Sequence, residues 1–152
     1  MKIHSFETFG AADGPRVRFI AFLSGCPFRC RYCHNPDTWA KPPAFEATAD
    51  EVLARALRYR AYWGAEGGLT ASGGEPMLQF DGLLALLQQA KAEGLHVCLD
   101  TSGQAPTERY AQIAPYVDCV MFDYKRIGEE SHQQFTGGAT TLSLPNLERI
   151  VT

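Results

Sequence analysis

The sequence predicts a single α/β domain organised around a parallel sheet. Strand-like and helix-like segments alternate along it, polar clusters recur where the strands end, and 152 residues suffice for one hydrophobic core but fall short of two. The alternation runs β-α-β-α-β-α-β-α, the pattern of a parallel sheet with right-handed crossovers.

The elements follow in order. Residues 17–23 (VRFIAFL) read as a strand of branched and aromatic residues ending at Ser24-Gly25. Residues 34–47 read as a loop, with Asn35 and three prolines at Pro36, Pro42 and Pro43. Thr48 and Glu51 have the capping-box spacing, and Val52, Ala56, Tyr59 and Trp63 continue at helical spacing until Gly64. Residues 67–71 form a short second strand running into Ser72-Gly73-Gly74-Glu75. A helix over 80–93 carries Leu83, Leu84, Leu87 and Ala90 on one face and stops at Gly94. A third strand over 95–100 precedes Thr101-Ser102-Gly103, and a weaker helix covers about 107–114. Residues 118–124 (DCVMFDY) are the fourth strand, followed by a short helix near 129–135 and the start of another at 144–152.

Composition removes several classes of function. With 45% hydrophobic and 20% charged residues the chain is not a disordered tail. Its longest apolar run, 19–23, is far shorter than the roughly 18 residues of a membrane span. Charges at Lys2, Glu7 and Asp13 leave no apolar stretch for a secretory signal, so the expected location is the cytoplasm, away from membranes. Net charge is -3, and acids and bases are interspersed without a basic stripe, so no nucleic-acid partner is expected.

The five cysteines narrow the field most. An odd number in a chain without a signal peptide argues against a disulfide framework. Cys98 and Cys119 sit inside strand-like runs, where a free cysteine is ordinarily a small packing residue. Cys26, Cys30 and Cys33 instead form a C-x3-C-x2-C run directly after the first strand. Three thiolates on one loop can bind three irons of a cubane cluster and leave the fourth iron open to a small molecule. Zinc is the alternative. It would need a fourth ligand, and His34 lies awkwardly next to Cys33 while Cys98 and Cys119 fall within strands.

Three polar groups, Ser72-Gly73-Gly74-Glu75, Asp100-Thr101-Ser102 and Asp123 with Lys125, fall at the carboxyl ends of the expected strands. Ligands of parallel sheets bind at that edge. Any one loop of this kind could simply be a turn and helix cap. Three together predict one site.

The cysteine spacing, with Tyr32 before the third cysteine, resembles the radical S-adenosylmethionine (SAM) superfamily. The run from Cys30 through Tyr32, His34 and Asn35 to Trp39 looks closer still to glycyl-radical enzyme activating enzymes of the pyruvate formate-lyase type. Further segments match in the same order: Ile3-His4-Ser5-Phe6-Glu7 with Asp13-Gly14-Pro15, Leu69 to Pro76, Cys98 to Gly103, and Val120 to Lys125.

The resemblance implies a partial (β/α) barrel of the radical SAM type with about four β-α units present, residues 1–152 forming one core domain. It implies that Cys26, Cys30 and Cys33 bind a [4Fe-4S] cluster whose open iron is chelated by SAM. Reductive cleavage of SAM would give a 5′-deoxyadenosyl radical, which would abstract hydrogen from a backbone glycine of a partner glycyl-radical enzyme. Pyruvate formate-lyase would be that partner, and a flavodoxin-like protein the electron donor. Gly73 and Gly74 would let the backbone approach the methionine moiety. Glu75 would accept from the SAM ammonium or cap the next turn, and Tyr32 and His34 would border the adenine or ribose. Asp100, Thr101, Met121 (through its carbonyl) and Asp123 match positions around a monovalent cation, and Asp123 and Lys125 match positions near SAM.

Two features depart from the pattern. Arg16 stands where these activases have glycine, and the chain stops after four β-α units, so a truncated chain lacking the carboxyl-terminal part of the barrel is expected. Two other readings stay open: the naturally short activase of anaerobic ribonucleotide reductase, and a non-catalytic cluster- or zinc-binding fragment.

Overall fold

Residues 1–39, 43–64 and 67–151 are described by the computed structural model. Strands β1 (Lys2–Gly10), β2 (Arg18–Leu23), β3 (Phe45–Glu46), β4 (Gly68–Gly73), β5 (His96–Thr101) and β6 (Cys119–Phe122) form one six-stranded sheet, ordered β3-β1-β2-β4-β5-β6. β2, β4, β5 and β6 run parallel, in the order the alternation predicts. Each is followed by helix: α1 (Ala49–Leu57) and α2 (Arg60–Trp63), α3 (Phe80–Ala92), α4 (Thr107–Ile113), and α5 (Glu129–Thr136). A last helix, α6, spans Ser143–Val151. No helix among the described residues is long and apolar enough to cross a membrane.

The sequence reading left β1 and β3 unassigned. Both are antiparallel additions on the far side of β2. β1 escapes a period-two search because its register with β2 slips between Ile3 and Ser5 and again between Glu7 and Gly10, breaking the alternation. The long helix expected from Thr48 to Trp63 is interrupted at Arg58 and Tyr59. Its start is as expected: Thr48 accepts from the Glu51 amide, and the Glu51 carboxylate accepts from the Thr48 N–H at 2.8 Å. The interruption lets Tyr59 stack on Phe19 while Trp63 turns into the core. Of the expected loop and final helix, Pro42 and Thr152 lie outside the described residues.

The two faces of the sheet differ in chemistry. Phe19, Ala21, Leu23, Leu69, Ala71, Val97 and Leu99 point to one face and bury against α1, α3 and α4. The alternating positions carry Arg18, Thr70, Ser72, Cys98 and Asp100 to the other face. There the 13–15 turn lies across them: Thr70 Oγ1 donates to the Asp13 carbonyl and Arg18 Nη1 to that of Pro15, both at 2.7 Å. Arg18 is fully buried, with its remaining donors on Thr70 Oγ1 and the carbonyls of Leu69 and His96. A planar, five-donor group thus satisfies the backbone that this turn would otherwise strand. The turn is held with Asp13 at the carboxyl edge of the sheet.

Arg16 takes a backbone conformation that glycine ordinarily holds. Its φ of 64° makes it the single non-glycine residue with positive φ among those described. An L side chain there costs roughly 1–2 kcal/mol, partly offset by the greater unfolded-state entropy of glycine. Arg16→Gly is therefore expected to stabilise the chain by about 1 kcal/mol, seen as a higher urea midpoint with unchanged slope.

Burial pushes the Cys98 thiol up to about 12, and the adjacent Cys119 thiol adds to that rise. An unfolded cysteine ionises near about 8.5, so the folded chain keeps this proton longer than the unfolded one. The resulting stability is complete below the unfolded value and is lost as pH climbs through the folded one. The urea midpoint should fall above about pH 9, and Cys98→Ala should flatten that decline.

Candidate functional site

At the carboxyl ends of β2, β4, β5 and β6 the chain encloses a cleft of ≈ 250 Å³. Its wall contains all three clustered cysteines, Cys26, Cys30 and Cys33, together with Tyr32 and His34 from the same loop. Gly73 and Gly74 enter from the end of β4, Asp100 and Thr101 from β5, and Asp123 and Lys125 from just beyond β6. Loops far apart in sequence therefore meet in one place, as their common position after parallel strands predicts.

The cysteine loop is held by backbone on three sides. Toward β4, Gly74 N donates to the Leu23 carbonyl (2.9 Å) and Glu75 N to that of Gly25 (2.8 Å). Gly25 N in turn donates to the Thr38 carbonyl at 2.7 Å, folding the 34–39 segment back over the loop. Toward the last elements, Arg29 N and Arg31 N donate to the carbonyls of Thr136 (2.7 Å) and Phe135 (3.0 Å) at the end of α5. These carbonyls are otherwise unpaired groups of a helix terminus, so the loop and α5 satisfy each other.

Phe28 plugs the same joint. Its buried ring sits edge-on to His132, 5.2 Å between centroids, and a Cβ on Gly138 would come within 2.4 Å of it. His132 Nδ1 lies 2.9 Å from the Gly138 carbonyl, an acceptor only, so Nδ1 carries the proton. Its Nε2 is buried and has no hydrogen-bond partner among the described residues.

The two glycines at the end of β4 line the cleft and also serve backbone packing. Gly73 has φ of 123°, and a Cβ there would meet the Leu23 N and O at 2.3 Å. A Cβ on Gly74 would fall 2.1 Å from the Gly25 carbonyl oxygen. Both constraints come from the ends of β2 and the start of the cysteine loop, and rotating a side chain would relieve neither.

Glu75 takes the second of the two roles expected for it, the cap of the following turn. It is fully buried off the cleft wall, with every acceptor direction used. Oε1 accepts from Thr101 Oγ1 (2.8 Å) and Met77 N (3.1 Å), and Oε2 from Ser102 N (2.8 Å) and Ser102 Oγ (2.6 Å). Burial raises its carboxyl above the ordinary range, against the pull of these donors. The residue caps the Pro76–Gln79 turn and staples the β4 loop to the β5 loop. Met121 is likewise absent from the cleft wall as described.

Electrostatically the cleft is mixed. Asp100 accepts from Ser72 Oγ at 2.8 Å, and burial raises its carboxyl despite that bond. Burial would lower the Lys125 ammonium, but its ion pair with Asp123 more than compensates and leaves it raised. Tyr32 donates to the Lys125 carbonyl, latching the cysteine loop to the β6 loop. Asp13 also lines the cleft, its carboxyl raised by burial and pulled back by His34. The sequence reading quoted Asp13 for its segment but gave it no role at the site. Thr38, which the sequence offers no reason to single out, also lines the wall, as do Asn35, Trp39 and Ser102 from segments already noted.

The donor set suits a multi-iron cluster. All three thiols are free and none belongs to a disulfide. Each is electrostatically felt by its neighbour in the run, Cys26 by Cys30 and Cys30 by Cys33. Burial pushes the Cys26 thiol up to about 11, so without a metal it stays protonated at neutral pH. Among the described residues no three or more His, Cys, Asp or Glu side chains converge as they would on a single metal ion. Thiolates of a cubane each bind a different iron, so they need not converge on one point.

Comparison with known proteins accords with this geometry. The Radical SAM superfamily profile matches residues 20–149. The chain is 45% identical over 143 residues to the pyruvate formate-lyase-activating enzyme of Streptococcus mutans, covering 89% of this chain and 54% of that one. It is 41% identical over 147 residues to the enzyme of the same name from Staphylococcus epidermidis, covering 91% and 59%. The chain thus spans a little over half the length of these relatives. Among solved structures, QueE from Escherichia coli superposes with a TM-score of 0.53 at 18% identity, covering 78% of this chain and 68% of that one, a likeness of fold.

The glycine contacts generate a sharp expectation. Gly74→Ala forces a Cβ into the Gly25 carbonyl and should cost about 3 kcal/mol, near the upper end for overpacking. Thermal melts would show the loss. Iron bound after anaerobic reconstitution, measured well below the lowered midpoint, should fall as well, because Cys26 follows Gly25.

Proposed function

The chain belongs to the radical SAM superfamily, and from that premise we propose that it acts as a glycyl-radical enzyme activating enzyme of the pyruvate formate-lyase type. Its substrate protein would be a pyruvate formate-lyase-like enzyme, its setting the cytoplasm, and its reductant a flavodoxin-like protein. The observation that carries this reading is the meeting of Cys26, Cys30 and Cys33 in one cleft with Asp100, Asp123 and Lys125. Relatives at 40–45% identity are pyruvate formate-lyase-activating enzymes, which supports the choice of activase over other chemistries.

Cys26, Cys30 and Cys33 would hold a [4Fe-4S] cluster, leaving an iron for the amino and carboxylate groups of SAM. When bound, cluster and SAM supply reductive carbon–sulfur cleavage and, through it, hydrogen-atom abstraction from a glycine α-carbon. The chain supplies placement. Lys125 stays protonated beside Asp123 and offers a cation to the SAM carboxylate, while Tyr32 and His34 border the nucleoside. Asp100, Thr101 and Asp123 offer oxygens to a monovalent cation. Glu75 acts through Thr101 and Ser102, holding the β5 loop in register as a positioning residue. The glycines and the α5 mount keep the cysteine loop ordered, so less ordering is needed when the ligands bind.

Anaerobic reconstitution tests the proposal. The expected result is close to four irons per chain, a reduced-cluster spin-resonance signal that SAM perturbs, and 5′-deoxyadenosine on addition of reductant. Cys30→Ala should abolish the signal, and Cys98→Ala should leave it. Colourless protein with one zinc per chain overturns the reading. A cluster that forms but ignores SAM also overturns it.

A further inference from the structure

The cysteine loop has two sides. Tyr32, Cys33 and His34 face the cleft, whereas Phe28, Arg29 and Arg31 lie outside its wall, against α5. On that outer side three exposed arginines gather, although the chain as a whole carries a net charge of -3. The Arg126 and Arg31 guanidinium carbons lie 4.2 and 5.5 Å from the Phe135 ring centroid, holding that ring between them. That of Arg29 lies 5.2 Å from the Trp39 centroid, and its Nη1 donates to the carbonyls of Cys26 (2.8 Å) and Phe28 (2.6 Å).

None of the ion pairs among the described residues takes these arginines. The nearby acids Asp123 and Glu129 are spent on Lys125 and Thr140. Arg126 is further fixed by Ser131 Oγ at 2.8 Å. Beside them Ile127 is 88% exposed, a bare aliphatic contact. Cations already stacked on aromatic rings lose little freedom when they meet a partner, which makes this patch a prepared recognition surface rather than a solvated fringe.

We propose that this collar of Arg29, Arg31 and Arg126, with Ile127, is the docking surface for an acidic electron-carrier protein. The inference rests on the activase reading above. Two features favour a donor over the substrate protein. Arg29 and Arg31 flank Cys30 directly in the chain, so a carrier seated on the collar lies beside the loop that holds a cluster ligand. It also lies off the cleft wall, so a carrier can engage it while the cleft holds SAM and admits a glycine. In the step itself one electron leaves the reduced carrier and enters the oxidised cluster held by the three thiolates. No bond forms or breaks, and no proton moves on this chain.

The test uses the full chain, flavodoxin hydroquinone as probe and photoreduced deazaflavin as a small uncharged control. In Arg31→Glu/Arg126→Glu, cluster reduction by flavodoxin at low salt, followed by spin resonance, should slow by at least about tenfold. Reduction by deazaflavin should be unchanged. Flavodoxin binding to the metal-free chain, read by interferometry, should weaken in parallel. Salt should erase the difference between wild type and variant, as screening of exposed charges requires. Should the double reversal fail to fold, Arg31→Gln/Arg126→Gln gives the same comparison with a smaller effect. Unchanged flavodoxin-driven rates and binding overturn the proposal, as does an equal slowing with deazaflavin. Weakened binding of a glycyl-radical enzyme with flavodoxin binding intact also overturns it. A wild-type chain that takes up no cluster sinks the activase reading instead, and binding to the metal-free chain still reports on the collar.

Discussion

The end of β4 lies against the end of β2 with no room for a single methyl group, and the site depends on that contact. Gly73 and Gly74 permit it, and the two amides that follow, Gly74 N and Glu75 N, convert it into hydrogen bonds with Leu23 and Gly25. Cys26 is the next residue. The position of the first thiol is therefore inherited from the parallel pairing of two strands and does not rely on the loop alone. Glu75 extends the same joint to the third strand through Thr101 and Ser102. A buried carboxylate with four donors is costly to break and geometrically exacting, which suits a staple better than a flexible ligand contact.

The sheet divides labour between its faces. One is apolar and packs against helices in the ordinary way of α/β proteins. The other carries an arginine, hydroxyls, a thiol and a carboxylate under the 13–15 turn. Arg18 makes that polar interior tenable, since its donors reach acceptors on three separate segments: Pro15, Leu69 with Thr70, and His96. Asp13 reaches the cleft because this turn is pinned from beneath.

Much of this was legible in the sequence, for identifiable reasons. The four parallel strands announce themselves by apolar runs that end in turn residues, and the cysteine loop by a spacing that few other roles require. The strand-end placement of Asp100, Asp123 and Lys125 then follows from topology alone. What escaped depends on contacts with no local pattern. β1 is hidden by its two register slips. The duty of Glu75 is invisible without knowing that Ser102 lies opposite, and Phe28 looks like any loop aromatic until Gly138 and His132 are seen around it. The glycine pair reads as a place of close approach, but the strand end and loop that press on it are not visible in the sequence. A missing Cβ marks tightness without saying what presses in.

The mount of the cysteine loop follows it by about a hundred residues. Cys26, Cys30 and Cys33 are synthesised early, yet the carbonyls that receive Arg29 N and Arg31 N belong to residues 135 and 136, and the slot for Phe28 closes at Gly138. On the ribosome, the thiols therefore emerge about a hundred residues ahead of the wall they hang from, several seconds at ordinary translation speeds. A cluster carried by this loop would therefore have to be fitted after synthesis of α5, because before that the three thiols are tethered with no fixed spacing.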